Sequence, residues 1–139
     1  MAILCGVDII EIDRVKKAMD KGGQAFINKI FTKGEIEYCE SKKAGKYQSY
    51  SARFAAKEAL AKALGTGIGK GIGLKDIEVL NDGFGKPYIV LSGKFRGYFM
   101  ALNGKSISLS MSHCKYYAIA HVIIETSNSS INNTEIIKN

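Results

Sequence analysis

With 139 residues, 46% of them hydrophobic and 24% charged, the chain has the composition of a globular domain able to build a core without disulfide staples. It contains no run of about 18 apolar residues, which excludes a long apolar spanning helix, and its start, Met1-Ala2-Ile3-Leu4-Cys5-Gly6-Val7-Asp8, meets an acid at once, so no secretory leader is expected. The net charge of +7 calls for an acidic partner or a phosphate-rich ligand, and nucleic acid, an acidic protein and a nucleotide cofactor suit it equally.

Residues 2–12 are apolar and β-branched and read as a strand with Asp8 and Glu11 embedded in it. An ionised carboxylate inside a buried strand needs a cation or hydrogen bonds to hold it; a strand-end carboxylate facing water is the equal alternative for Asp8. Asp13 is placed to cap a helix in which Arg14, Lys16, Lys17 and Lys21 surround Val15, Ala18 and Met19. Taken alone, such a basic helix is a solvated face. Gly22-Gly23 is expected to end it, and residues 24–30 form a second short helix with Phe26, Ile27 and Ile30 as its apolar face. Thr32-Lys33-Gly34-Glu35 has the spacing of a capping box, opening a helix through Cys39. Residues 41–46 are polar and basic, a loop.

The long helix runs from Tyr47 to Leu64, rich in Ala, Leu, Lys and Glu and closed by Gly65. Ala56, Ala59, Leu60, Ala63 and Leu64 form its apolar stripe, with Glu58 and Lys62 one turn apart on the other side. That pair reads first as a solvated contact, while the alanines allow another chain or a ligand to approach the helix backbone. Gly65 to Gly73 holds five glycines in nine residues; it follows a helix and lacks the ending of a nucleotide-triphosphate loop, so it is a poor phosphate loop and a plausible flexible segment beside a ligand. Residues 76–80 and 87–91 form a hairpin about the turn Asn81 to Lys86. Phe95, Tyr98, Phe99 and Leu102 mark an amphipathic helix ended by Asn103-Gly104. Residues 106–113 alternate polar and apolar as a strand ending at His113, and 116–124 return antiparallel to it through Cys114-Lys115, with His121 as a packed or edge residue. The whole is α+β: an antiparallel sheet packed against a long central helix plus shorter helices. One domain is expected over 1–125, followed by a polar tail, 126–139, expected to be disordered. Cys5, Cys39 and Cys114 are odd in number and far apart, which fits reduced thiols in a cytoplasm.

The chemically suggestive groups are Asp8, Glu58, Lys62 and His113. Two carboxylates with a lysine one turn on suit Mg²⁺, which takes one or two protein carboxylates and completes its shell with water and substrate phosphates. No Ser/His/Asp triad assembles with comparable support, and Cys5 and Cys114 lie in strand-like surroundings expected to leave them inert.

Gly6-Val7-Asp8-Ile9-Ile10-Glu11-Ile12-Asp13-Arg14 resembles the opening signature of the bacterial holo-[acyl-carrier-protein] synthases, the short 4'-phosphopantetheinyl transferases. Phe31-Thr32-x-x-Glu35-x-x-Tyr38 resembles their second motif, and Arg53-Phe54-Ala55-Ala56-Lys57-Glu58-Ala59 with Lys62-Ala63 and Gly65-Thr66-Gly67 their most diagnostic one. Gly85-Lys86-Pro87 and Ser110-Met111-Ser112-His113, with Ala118 and Ala120, complete a collinear match from residue 3 to about 125.

The resemblance implies the phosphopantetheinyl transferase fold and transfer of the 4'-phosphopantetheine arm of coenzyme A to a serine of apo-acyl carrier protein in fatty acid biosynthesis, releasing adenosine 3',5'-bisphosphate. Carried over by position, Asp8 and Glu58 would bind Mg²⁺ and Lys62 would steady the pyrophosphate. Arg53 and His113, with the backbone at Gly65, would hold the phosphates and nucleotide. The base for the serine is left open among a metal-bound water, Glu58 and a water-linked His113. Arg14, Lys17 and Lys21 would dock the acidic carrier protein, the two lysines by helix position only. A homotrimer with active sites between subunits is implied as well. A broader transferase acting on polyketide or peptide carriers is usually about twice this length. The rival of another class, a non-catalytic basic domain binding nucleic acid, would use the same charge and the seven tyrosines but leaves Asp8 and Glu58 unexplained.

Overall fold

A computed structural model describes residues 1–69 and 73–127. Among them the chain runs β1 (Ala2–Glu11), α1 (Ile12–Ile30), α2 (Lys33–Ser41), a 3-10 turn (Lys43–Gly45), α3 (Lys46–Leu64), a 3-10 turn (Leu74–Asp76), β2 (Ile77–Asn81), β3 (Pro87–Leu91), α4 (Gly93–Ala101), β4 (Gly104–His113) and β5 (Tyr117–Thr126). The architecture is α+β, with an antiparallel sheet of order β1-β5-β4 and a separate β2-β3 hairpin. Both hairpins expected from the sequence are present. Residues 70–72 of the glycine-rich segment and 128–139 of the tail lie outside the described residues. Thr126, assigned to the tail from sequence, instead closes β5 and is buried.

The sheet lies on α3. Ala55, Ala59, Leu60 and Ala63 pack with Ala120, Val122 and Ile124 of β5 and with Ile77 and Val79 of β2. The expected single apolar stripe is too narrow: α3 is enclosed on several sides, and Tyr50, Arg53, Lys57 and Ala61 are buried as well. Gly65 ends the helix in the left-handed region at φ 76°, its N–H reaching the carbonyls of Ala61 and Lys62. The close approach that the alanines permit is taken by β1. A Cβ at Gly6 would overlap the Ala59 carbonyl and stand 2.8 Å from the Ala63 nitrogen, so strand and helix backbones nearly touch there.

The double glycine breaks the helix as expected: Gly23 adopts φ 63°, ψ −158°, outside the helical region, so α1 is two helical stretches joined at a kink, the second running to Ile30. One helix start departs from the sequence reading, that of α1. Asp13 is not its cap, because Glu11 occupies the N-cap position and offers no side-chain bond; Asp13 pairs one turn on with Lys17 at 2.8 Å. The capping box is present as expected. Thr32 Oγ1 accepts from the Glu35 N–H, and Glu35 Oε1 accepts from the Thr32 N–H. Val15 and Met19 of α1, Phe31, Cys39 of α2 and Tyr50 of α3 form the second core.

The face of the sheet turned away from α3 is apolar on β1 and β5. Ile3, Val7 and Ile9 alternate outward on β1, and Tyr117, Ile119 and Ile123 on β5, all exposed in the single chain. Serines 106, 108, 110 and 112 continue these rows across β4.

Gly6→Ala is expected to lower unfolding free energy by about 1–3 kcal/mol, the usual cost of overpacking a tight contact. Urea denaturation checks it; an unchanged midpoint would mean β1 and α3 are looser than described.

Candidate active site

β1 and α3 bring three of the predicted residues together. Antiparallel pairing sets Asp8 opposite Ala120, with its side chain toward α3. There Lys62 Nζ donates to Asp8 Oδ1 at 3.0 Å and to the Val7 carbonyl at 3.1 Å. The expected Glu58–Lys62 contact is thus replaced by Lys62–Asp8. Glu58 is half-buried, and its pKa is raised, first by burial and then by the charge of Asp8, with Lys62 opposing. Asp8 and Glu58 line one cavity of about 410 Å³ with Ile10, Arg14, Val15, Phe26, Phe31 and Phe54 among its walls. A half-buried carboxyl beside a second carboxylate is a donor set that a divalent cation would relieve. Among the described residues no cluster of three or more His, Cys, Asp or Glu forms. The site therefore fits a hard ion that keeps water and phosphate ligands, as Mg²⁺ does, better than one needing a full protein cage.

Arg53 and His113 meet elsewhere. They line a second cavity, of about 580 Å³, together with Tyr38, Lys42, Ser49 and Asn81. Arg53 is 2% exposed, donates to Ser49 Oγ at 3.1 Å and to Asn81 Oδ1 at 2.6 Å, and stacks 4.0 Å from the Tyr38 ring centre. Its Nε finds no hydrogen-bond partner among the described residues, and both bonds it makes go to neutral groups. A buried guanidinium with neutral hydrogen-bond partners, in a cleft that also carries Lys42 and His113, is built for an anion.

Of the basic residues on α1, Arg14 lines the Asp8–Glu58 cavity, Lys17 is engaged by Asp13, and Lys21 is exposed. Gly65 caps α3 three residues beyond Lys62. Cys114 departs from the inert surroundings expected of it: it sits exposed in the β4–β5 turn, where the backbone N–H groups of Tyr116 and Tyr117 lower its thiol pKa.

These features accompany a clear similarity to known proteins. The profile of the 4'-phosphopantetheinyl transferase superfamily matches residues 4–120, and the chain belongs to that superfamily. It is 55% identical over 129 residues to the holo-[acyl-carrier-protein] synthase of Ruminiclostridium cellulolyticum, covering 93% of this chain and 96% of that protein. The Helicobacter pylori holo-[acyl-carrier-protein] synthase crystallised with coenzyme A superposes with a TM-score of 0.76 at 34% identity, covering 88% of this chain and 100% of that one. A Bacillus anthracis holo-(acyl-carrier-protein) synthase in complex with CoA (3',5'-ADP) gives 0.73 at 39%, covering 91% and 100%.

The sequence reading gave Glu35 only a capping role and assigned none to Lys57, Tyr38 or Lys42. A signal for Lys57 was present: Tyr50, Arg53, Lys57, Leu60 and Leu64 follow helical spacing, which puts a lysine in the middle of an inward stripe.

The raised Glu58 pKa makes its ionised form a cost to folding. Below the unfolded pKa the carboxyl is protonated in both states; as pH rises through the folded pKa that stability is lost. Glu58→Gln is therefore expected to unfold at higher urea than the parent at pH 8 and at the same urea near pH 3. Equal midpoints at both pH values would refute the assigned shift.

Proposed function

We propose that this chain transfers the 4'-phosphopantetheine arm of coenzyme A to a serine of apo-acyl carrier protein, leaving adenosine 3',5'-bisphosphate, in fatty acid biosynthesis. The observation that carries this reading is the Asp8–Glu58 pair facing one cavity, with Lys62 on Asp8 and Arg14 at its wall. Asp8 and Glu58 would hold Mg²⁺, which when bound neutralises charge on the pyrophosphate. Lys62 reaches the same place with its ammonium and steadies the phosphate charge. Phosphoryl transfer asks chiefly for position and charge neutralisation, which these groups supply. Arg53 and His113, with Gly65, bind the coenzyme's phosphates and nucleotide; the unpaired guanidinium nitrogen of Arg53 supports that role. The serine proton goes to Glu58, to water or to His113 through water.

The two separate cavities support a homotrimer with active sites between subunits. Asp8 and Arg53 line separate cavities of one protomer, and a neighbour packed on the apolar outer face of β1 and β5 completes a site from the Asp8 side of one subunit and the Arg53 side of another. Arg14, Lys17 and Lys21 form the docking face for the acidic carrier protein, beside the Asp8 cavity; no nucleic acid or membrane is involved, and the three free cysteines suit a cytoplasmic setting.

Asp8→Ala and Glu58→Ala should each reduce transfer more than about 100-fold, beyond the usual effect of an outer-sphere partner. Arg53→Ala should fail through loss of coenzyme binding. Asp8→Ala and Arg53→Ala protein, mixed and reassembled, should regain activity because some sites then draw both native halves. Wild-type turnover by Asp8→Ala sinks the metal assignment, and a mixture as inactive as its parts sinks the shared site. Arg14→Glu should raise KM for the carrier protein more than KM for coenzyme A; equal effects on both would remove α1 as the docking face.

A further inference from the structure

The side chain of Lys57 is wholly enclosed, and it is the residue next to Glu58. Its ammonium donates to Glu35 Oε1 at 2.7 Å and to the carbonyls of Ile30 at 3.0 Å, Leu74 at 3.0 Å and Ile77 at 2.7 Å. Three N–H bonds thus serve four acceptors from four separate segments. Glu35 is enclosed equally and answers with its other oxygen: Oε2 accepts from the Val79 N–H at 3.0 Å, while Oε1 also accepts from the Thr32 N–H at 2.9 Å. Thr32 Oγ1 extends the network to Glu78 Oε2 at 2.5 Å. Phe31, the residue after Ile30, lies with its ring centre 5.5 Å from the Lys57 nitrogen and lines the Asp8–Glu58 cavity.

A buried ion pair is a poor way to gain stability, because desolvation of both charges offsets their attraction and an apolar pair of similar volume does as well or better. What it does supply is direction: the ammonium is satisfied in one place only. Successive residues of a helix point about 100° apart. Fixing Lys57 toward α1, α2 and β2 therefore turns Glu58 toward the edge where β1 presents Asp8. The same bonds tie Ile30, and with it Phe31, to α3 and so fix the cavity wall.

We propose that Lys57 and Glu35 are a positioning pair for the transfer reaction: they lock the rotation of α3 and the end of α1 so that Asp8 and Glu58 face each other across one cavity. Neither residue touches substrate. The inference rests on the proposed role of Asp8 and Glu58 as the cation-binding pair.

The test is the Mg²⁺ affinity of the folded protein by calorimetry with coenzyme A present, alongside kcat/KM corrected for the folded fraction. Glu35→Gln keeps shape and removes the charge; it should weaken Mg²⁺ binding and lower kcat/KM about tenfold, the lower end of effects seen when residues behind metal ligands are lost. Thr32→Val, which removes only the hydroxyl shared with the Glu35 N–H and Glu78, should move both in the same direction by less. A merely structural pair would lower the melting temperature and leave Mg²⁺ affinity and kcat/KM of the folded molecules at parental values, which would overturn the proposal. Asp8→Ala is run beside them: parental Mg²⁺ affinity there would refute the cation site itself, whereas its loss there combined with parental affinity in Glu35→Gln refutes the positioning role alone.

Discussion

The ammonium of Lys57 is where the parts of this fold are fastened to one another. It sits in the middle of α3, is cut off from water, and is held by a carboxylate and three carbonyls drawn from α1, α2, the turn before β2 and β2 itself. Burial lowers its pKa, the Arg53 charge adds a smaller push the same way, and the charge of Glu35 opposes them. On the opposite side α3 meets the sheet through alanines and Gly6, where there is no room for a larger side chain. One side of the helix is thus set by polar satisfaction and the other by steric fit. Between them α3 has little freedom to rotate or slide, and the residues on its remaining edge, Phe54, Glu58 and Lys62, inherit that order.

The site follows from this arrangement. Asp8 comes from a strand whose alternation sends Val7 and Ile9 outward and Asp8 inward, so the residues that build the outer apolar face and the one that builds the site are neighbours in sequence. Arg53, one turn before Lys57, points into another cleft with Tyr38 and Asn81. A single helix thereby serves two cavities. The proposed assembly through the outer sheet face joins what one protomer holds apart, which gives that face a chemical reason as well as a hydrophobic one.

Much of the fold was legible because its signals are local. The Thr32–Glu35 capping box, the turn from Asn81 to Lys86, the alternation in residues 106–113 and the glycine after Leu64 each depend on a few adjacent residues. The motifs around Asp8, Glu58 and Lys62 identified the superfamily. What the sequence did not disclose is pairing between distant segments. Lys62 prefers Asp8, 54 residues away, to Glu58 on its own helix. Glu35 was legible as a cap but not as the counter-ion of Lys57, because one carboxylate performs both tasks. The separation of Arg53 from Asp8 is likewise a fact of three-dimensional packing.

Transfer of a phosphopantetheine arm by this chain is read out by intact-mass spectrometry of apo-acyl carrier protein incubated with the protein, coenzyme A and Mg²⁺. The expected result is a gain equal to one 4'-phosphopantetheine group per carrier molecule, placed on a serine, with matching release of adenosine 3',5'-bisphosphate. An unchanged mass, using a carrier protein that another transferase modifies under the same conditions, would contradict it.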